Sequence, residues 1–273
     1  EHVLDGEVTR RMLARMDLVR LKPRRILDAG CGQAPSRMLA RRFPDARLTG
    51  IDISHLLAAA WRKEQTWLSR AKRGIGLKSS QYFAADICAL PFAKASIDMV
   101  WSNLAMAWAR DTGKAFLECH RVLDAGGLFM FSTYGPDTLR ELKAAFAVAD
   151  RWPHIHHFPD MHDLGDLLIA SGFAEPVMDM DKVVFTYANV ESLLCDLRYS
   201  GQTNALTDRR PGLTGRSAWK AMLAAYPRRP KDGRIEATIE IVYGHAWKRG
   251  DPPQSNARES KLKKINWFPS KKG

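Results

Sequence analysis

An α/β fold with a mostly parallel sheet covered by helices on both faces is predicted by three observations. Strand-like and helix-like segments alternate five times up to Asp150, an apolar strand breaks into a glycine turn at Gly30-Cys31-Gly32, and successive strands end on acids. Such alternation builds βαβ units, whose ligands sit at the carboxyl ends of the strands.

Each element has its own signal. Val3 to Leu21 carries Val8, Met12, Met16 and Val19 on one helical face, packed beside the first strand, and Pro23 ends it. Ile26 and Leu27 end a buried strand, Gly30 and Gly32 permit a tight turn with close backbone approach, and Pro35 suits the first turn of the helix Ser36 to Phe43. Leu48 to Ile53 is the second strand. Ser54 caps a longer helix through Leu57, Trp61, Thr66 and Leu68, stopped by Lys72-Arg73-Gly74. Gln81 to Ala85 and Ile97 to Ser102 are strands three and four. Thr112 is the expected cap of a helix from Gly113 to Leu123, closed by Gly126-Gly127, and Leu128 to Thr133 is a continuous apolar strand. Gly135-Pro136-Asp137 opens a helix with Leu139, Leu142 and Phe146 on one face. After Asp150, Leu164 to Ala170 and Val190 to Tyr199 read as helices and Pro176 to Tyr187 as a strand. Arg234 to Trp247 alternates like a half-buried strand.

The totals narrow the function classes. With 273 residues and 45% hydrophobic content, the chain suits one large domain, expected over residues 1–248, with substrate-side insertions in 135–234. No apolar run is long enough to span a bilayer and the first residues have no signal-peptide pattern, so a soluble, cytoplasmic protein is expected. Cys31, Cys88, Cys119 and Cys195 show no ligand or disulfide spacing, and no metal is expected. From Asp208 to Gly273 there are 16 Lys and Arg against 6 Asp and Glu, which accounts for most of the net +12. Residues 249–273 read as a basic, disordered tail.

Strand ends carry the chemistry. Asp28, Asp52, Asp86 and Ser102-Asn103 all fall on one edge of the expected sheet, beside the glycine turn. Asp and Asn also start turns and cap helices, so each alone has an ordinary explanation. Together they suit a cofactor with a cationic amino-acid end near Asp28, ribose hydroxyls on Asp52 and an adenine amine near Asp86. Ile53, Ile87 and Leu104, adjacent to these strand ends, join the cofactor set. A nicotinamide dinucleotide would want G-x-G-x-x-G, yet Pro35 stands at the third glycine's place. An acid before the turn repels a pyrophosphate and attracts the amino group and sulfonium of S-adenosylmethionine.

Asp28-Ala29-Gly30-Cys31-Gly32 with Asp52 and Asp86-Ile87 resembles the cofactor motifs of class I S-adenosylmethionine-dependent methyltransferases. Trp101-Ser102-Asn103-Leu104-Ala105-Met106-Ala107-Trp108, His120-Arg121-Val122-Leu123 and Thr138-Leu139-Arg140-Glu141-Leu142 are similar to the BioC branch, malonyl-acyl-carrier-protein O-methyltransferases of biotin synthesis. Asp160 to Asp166 and Asp196 to Asn204 extend the likeness, which runs from about Val3 to Lys248. It implies a Rossmann-like, seven-stranded sheet and methylation of the free carboxylate of malonyl-acyl-carrier protein or malonyl-CoA. A carboxylate is already nucleophilic, so no general base is expected and rate comes from positioning. Trp108 and Tyr134 are candidates to wall the acceptor pocket, with core packing the ordinary alternative, and Arg198 is a candidate partner for a carboxylate or phosphopantetheine phosphate. The basic stretch from Arg209 to Arg234 would suit an acidic carrier protein.

Two departures qualify the resemblance. Family members usually begin with an aromatic-containing segment that helps close the pocket, and the sequence given starts after it. The third glycine of the cofactor motif is also missing. Two other readings stand beside the methyltransferase. The same segments resemble a complex I assembly factor of similar fold that is thought to hydroxylate an arginine. The basic C-terminal quarter would also suit a non-catalytic binder of RNA or an acidic partner, although no nucleic-acid motif supports it.

Overall fold

The computed structural model of the protein describes residues 3–32, 37–57, 59 and 81–250. Gln33 to Pro35, most of the helix expected after Ser54, its Lys72-Arg73-Gly74 stop and nearly all of the basic tail lie outside them. Seven strands form one sheet: β1 (Arg25–Ala29), β2 (Arg47–Asp52), β3 (Gln81–Ala84), β4 (Ile97–Ser102), β5 (Leu123–Tyr134), β6 (Ala174–Tyr187) and β7 (Ile235–Trp247). Their order is β3-β2-β1-β4-β5-β7-β6, with β7 antiparallel to both neighbours and β1 to β5 parallel. The helices are α1 (Val3–Arg15), α2 (Arg37–Arg42), α3 (Thr112–Val122), α4 (Arg140–Ala149), α5 (Met161–Ala170), α6 (Val190–Tyr199) and α7 (Arg216–Ala225).

Alternation along the strands divides the core in two, as the pleat requires. Ile26, Met99, Trp101, Leu128 and Met130 pack with Val8 and Met12 of α1, with Met16 just after it, and with Leu142 and Phe146 of α4. Leu27, Val100, Phe129 and Phe131 pack against Phe116 and Cys119 of α3 and Leu164 and Leu168 of α5. Helices thus cover both faces, and each large side chain buried this way contributes about 1.5–3 kcal/mol relative to exposure.

Several local expectations need correction. Asp111, not Thr112, caps α3, accepting from the Lys114 N–H at 2.9 Å. Gly126-Gly127 does not close that helix, because β5 starts at Leu123 and the glycines lie within it. The strand from Ile235 is not half-buried. Inserted between β5 and β6, β7 is covered on both faces, and its polar residues find partners in the segment after β5. Glu240 accepts from the Asp137 N–H at 2.7 Å, while Thr238 donates through Oγ1 and N to the two oxygens of Glu141, at 2.5 and 3.0 Å. Helix α7 had no expectation at all. Its burial against α4 depends on a contact far apart in sequence. The range 135–234, expected as insertions, also supplies β6, a strand of the main sheet.

Burial alone would raise the Glu141 carboxyl, but the two bonds from Thr238, with those from its own N–H and Arg140, together outweigh it and hold the pKa below the ordinary value of 4.5. That contribution to stability is complete above the unfolded pKa and is lost as pH falls through the lower folded one. Glu141→Gln can keep an oxygen on the Thr238 N–H and donate to the Thr238 hydroxyl, but it replaces two charge-assisted bonds by neutral ones, so it should cost about 1–2 kcal/mol near neutrality. The difference from wild type should shrink as pH drops below 4.5 in urea melts.

Candidate active site

A cavity of about 1000 Å³ opens at the carboxyl ends of β1, β2 and β4. β1 delivers Asp28, 3% exposed, and then turns sharply. Gly30 has φ +81°, and its N–H and that of Cys31 both donate to Ile51 O, at 2.8 and 2.9 Å. A Cβ at Gly30 would stand 2.1 Å from Ala105 Cβ, whereas at Gly32, φ +56°, it would meet nothing within 4 Å. One glycine admits the neighbouring chain and the other leaves bare backbone beside the cavity.

β2 ends on Asp52, which lines the cavity. Its carboxylate accepts the Gly32 N–H at 3.1 Å and the Ser54 N–H at 2.8 Å, so the acid and the glycine turn are held as a unit. Ile53, 63% exposed, lines the same wall. Asp86 and Ile87, after β3, complete this end, with Asp86 accepting the Cys88 N–H at 2.9 Å. The field among these groups is negative. Burial first, then the charges of Asp28 and Asp52, push the Cys31 thiol well above its ordinary pKa, which keeps it protonated and unsuited to nucleophilic work.

β4 ends on the third group. Asn103 lines the cavity, but its side chain is engaged: Nδ2 donates to Asp5 O and Thr9 Oγ1 at 3.1 and 3.0 Å, and Oδ1 accepts from Ser132 Oγ at 2.8 Å. It ties α1 to the sheet edge. Leu104 sits at φ +58°, an uncommon conformation for a side-chain-bearing residue, with its N–H held by Ser132 Oγ at 3.0 Å. This bend launches the short turn Ala105–Trp108 back across the cavity.

The acceptor-side expectations divide. Trp108 lines the cavity at 43% exposure, its ring 5.4 Å from that of His156. Tyr134 does not line it. It is 3% exposed, packed in the core beside Phe158, because its place in β5 turns it under the covering segments. Arg198 is likewise outside the cavity, exposed on α6, whose buried face is taken by Val190 and Leu193. Two residues earlier on the same helix, Asp196 accepts from Tyr187 Oη at 2.7 Å.

Residues not singled out as site candidates complete the walls: Asp5 and Thr9 of α1, Arg110, and, from two of the segments that carry the resemblance, Trp101 and Ser200 to Gln202 after α6. Thr9, polar and 8% exposed on the apolar face of α1, was the one legible sign that this helix does more than pack. Residues 150–158, with His154, His156 and His157, pack beside Trp108 and Tyr134. Asp150 accepts from His154 Nε2 at 2.9 Å and from Arg210 at 3.1 Å, and Asn204 Nδ2 donates to Pro153 O at 2.9 Å, clamping 150–158 to 204–210. No cluster able to hold a metal occurs among the described residues. No helix among them is long and apolar enough to cross a membrane.

Residues 27–131 match a family described as a methyltransferase domain. The malonyl-acyl-carrier protein O-methyltransferase of Laribacter hongkongensis is 45% identical over 253 residues, 92% of this chain and 85% of that protein. The protein of the same name from Gallionella capsiferriformans is 44% identical over 247 residues, 90% of this chain and 84% of that one. Among solved structures, the YcgJ protein of Bacillus subtilis superposes with a TM-score of 0.59 at 14% identity, covering 89% of this chain and all of that one, a likeness of fold alone. With a cavity lined by acids at the strand ends of a class I methyltransferase sheet, and with this identity sustained along nearly the whole length, the chain belongs to the malonyl-acyl-carrier protein O-methyltransferase family.

Proposed function

We propose that the protein uses S-adenosylmethionine to methylate the free carboxylate of a malonyl group carried as a thioester on acyl carrier protein, a step of biotin synthesis in the cytoplasm. The observation that carries the proposal is the cavity in which Asp28, Asp52, Asp86 and the bare backbone at Gly32 converge. Its volume, about 1000 Å³, is room for a nucleoside-sized molecule together with the end of an acyl arm. The residues present suit this cofactor. Asp28 would offer a buried carboxylate to an amino group, Asp52 carboxylate oxygens to ribose hydroxyls and Asp86 an acceptor to an adenine amine, with the apolar side chains of Ile53 and Ile87 on the same cavity wall.

When bound, the cofactor supplies an electrophilic methyl sulfonium, which an ionised carboxylate attacks without first losing a proton. The chain therefore has to position and to exclude water rather than to move protons. Asn103 ties α1 to the sheet edge, Leu104 starts the turn that carries Trp108, and Trp108 lines the same cavity. The carboxylates of Asp28, Asp52 and Asp86 around the cavity favour a cationic sulfonium over neutral products. Residues 1–248 act in this reading as one methyltransferase domain. Purified protein given labelled S-adenosylmethionine and malonyl-acyl carrier protein should form a base-labile methyl ester. Absence of label transfer, with S-adenosylhomocysteine nonetheless bound, would overturn the acceptor, and a product heavier by one oxygen would indicate hydroxylation instead.

A further inference from the structure

Tyr134, the last residue of β5, pairs with Ile241, whereas β7 starts at Ile235, opposite Tyr187 at the end of β6. Residues 235–240 of β7, about 20 Å of extended chain, therefore project past the carboxyl end of β5. Because β5 runs parallel to β1, β2 and β4, that is the edge on which the cavity opens. The connection 188–234, which joins β6 to β7, starts and ends there. It is built into the cavity wall: Ser200 to Gln202 line the cavity, and the Ala205 N–H donates to His156 Nε2 at 3.2 Å, on the ring that packs against Trp108.

The same connection concentrates positive charge. Its 47 residues hold nine Lys and Arg against four Asp and Glu, a net +5, while residues 1–187 together carry only +3. Arg210 and Arg229 face carboxylates, but Arg209, Arg228 and Arg234 give an N–H only to a backbone carbonyl, which leaves their charge uncompensated. Arg216, Lys220 and Lys231 are exposed without a partner among the described residues. Arg216 and Lys220 stand one turn apart on the outer face of α7, whose Met222 is buried. Leu213, 94% exposed, lies in the same connection. An aliphatic side chain offers nothing to a phosphate backbone, so the combination favours a protein over a nucleic acid. The cavity is lined by Asp5, Asp28, Asp52 and Asp86, so attraction for an anionic partner has to come from outside it. We infer that the connection 188–234 is the docking surface for the acidic carrier protein that bears the malonyl thioester, with Arg216, Lys220 and Lys231 meeting its carboxylates. The inference rests on the methyl-transfer reading. A substrate tethered to a protein enters only as far as its arm reaches, which requires docking on the edge where the cavity opens. The cations there speed encounter and hold the carrier, and take no part in the chemistry.

The triple variant Arg216→Glu, Lys220→Glu, Lys231→Glu reverses three exposed charges that hold nothing else in place, so its melting temperature should be little changed. Its KM for malonyl-acyl carrier protein should rise about 10- to 100-fold, while KM for malonyl-pantetheine, which has the thioester but neither protein nor phosphate, stays within about twofold. Unacylated carrier protein should bind the wild type in calorimetry and the variant correspondingly more weakly, a readout that needs no methyl transfer. Should the variant not fold, the wild-type protein carries the test: between about 0.03 and 0.3 M salt, KM for the carrier-bound substrate should climb while that for malonyl-pantetheine stays flat. A carrier-bound KM that neither the variant nor salt moves overturns the inference and leaves the methyl-transfer reading intact. An equal rise in both KM values assigns the charges to the cavity and overturns it as well. A wild-type protein that binds the carrier yet methylates neither substrate overturns the methyl-transfer reading and keeps the docking surface. Single-stranded RNA bound by the wild type and lost in the variant, with no binding of the carrier, gives the surface to nucleic acid and overturns the inference.

Discussion

Replacing Asp52 with Ala should weaken S-adenosylhomocysteine binding by about 100-fold while costing the fold only about 1–2 kcal/mol. The two effects have different origins. In the free protein the Asp52 carboxylate joins the glycine turn to the chain after β2, taking the Gly32 N–H at 3.1 Å and the Ser54 N–H at 2.8 Å. Gly32 lines the open cavity and Ser54 is partly exposed, so water replaces most of what the two N–H groups lose. A ligand bound there loses an ionised acceptor for its ribose hydroxyls and also meets a turn no longer held in place. Asp52→Asn should fall between, since the amide keeps one acceptor oxygen and turns a donor toward one of the two N–H groups. Calorimetric titration and thermal melting separate affinity from stability. An unchanged affinity in Asp52→Ala would show that β2 does not present the cofactor's ribose site.

Gly30→Ala should be the most destabilising single-methyl change in this region, about 2–5 kcal/mol. The alanine must adopt φ +81°, worth roughly 1–2 kcal/mol, and its Cβ would overlap Ala105 Cβ at 2.1 Å, with overpacking adding about 1–3 kcal/mol. Neither side can retreat easily. The Gly30 N–H is fastened to Ile51 O at 2.8 Å, and Ala105 follows Leu104, whose N–H is held by Ser132. At about 2–4 °C per kcal/mol for a chain of this size, the melting temperature should drop by roughly 5–20 °C. Displacement of the Ala105–Trp108 turn should also raise KM for the acceptor. Gly32→Ala is the control. It carries the strain of φ +56° but no clash, so it should melt much closer to wild type and lose cofactor affinity by filling space beside the ligand. Equal melting temperatures for the two variants would contradict the close approach of Gly30 and Ala105.

The glycine turn, the acids Asp28, Asp52 and Asp86, and four of the five parallel strands to within a residue or two were legible in the sequence. Their signals are local: pleat periodicity, a positive φ that only glycine adopts cheaply, and acids one step past an apolar run. The errors are equally physical. β7 read as half-buried because Thr238 and Glu240 alternate with apolar residues, and nothing nearby in sequence announces that Glu141 and Asp137, about 100 residues earlier, meet their polar groups. Arg198 looked available because a helix's polar residues are read by type. Its direction was decided by which face of α6 the core had already claimed.

The sequence by itself determined that a strand–turn–helix unit with a row of acids forms one edge of a doubly wound sheet, because backbone geometry and side-chain alternation are settled within a few residues. Only the tertiary structure decided what stands across from those acids. The order β3-β2-β1-β4-β5-β7-β6 sets Trp101 beside Asp28 and brings Thr9, Trp108 and Gln202 to the same cavity. It likewise sends Tyr134 into the core. Those placements follow from how faces of distant elements share one limited interior, a competition that no short stretch of the chain contains.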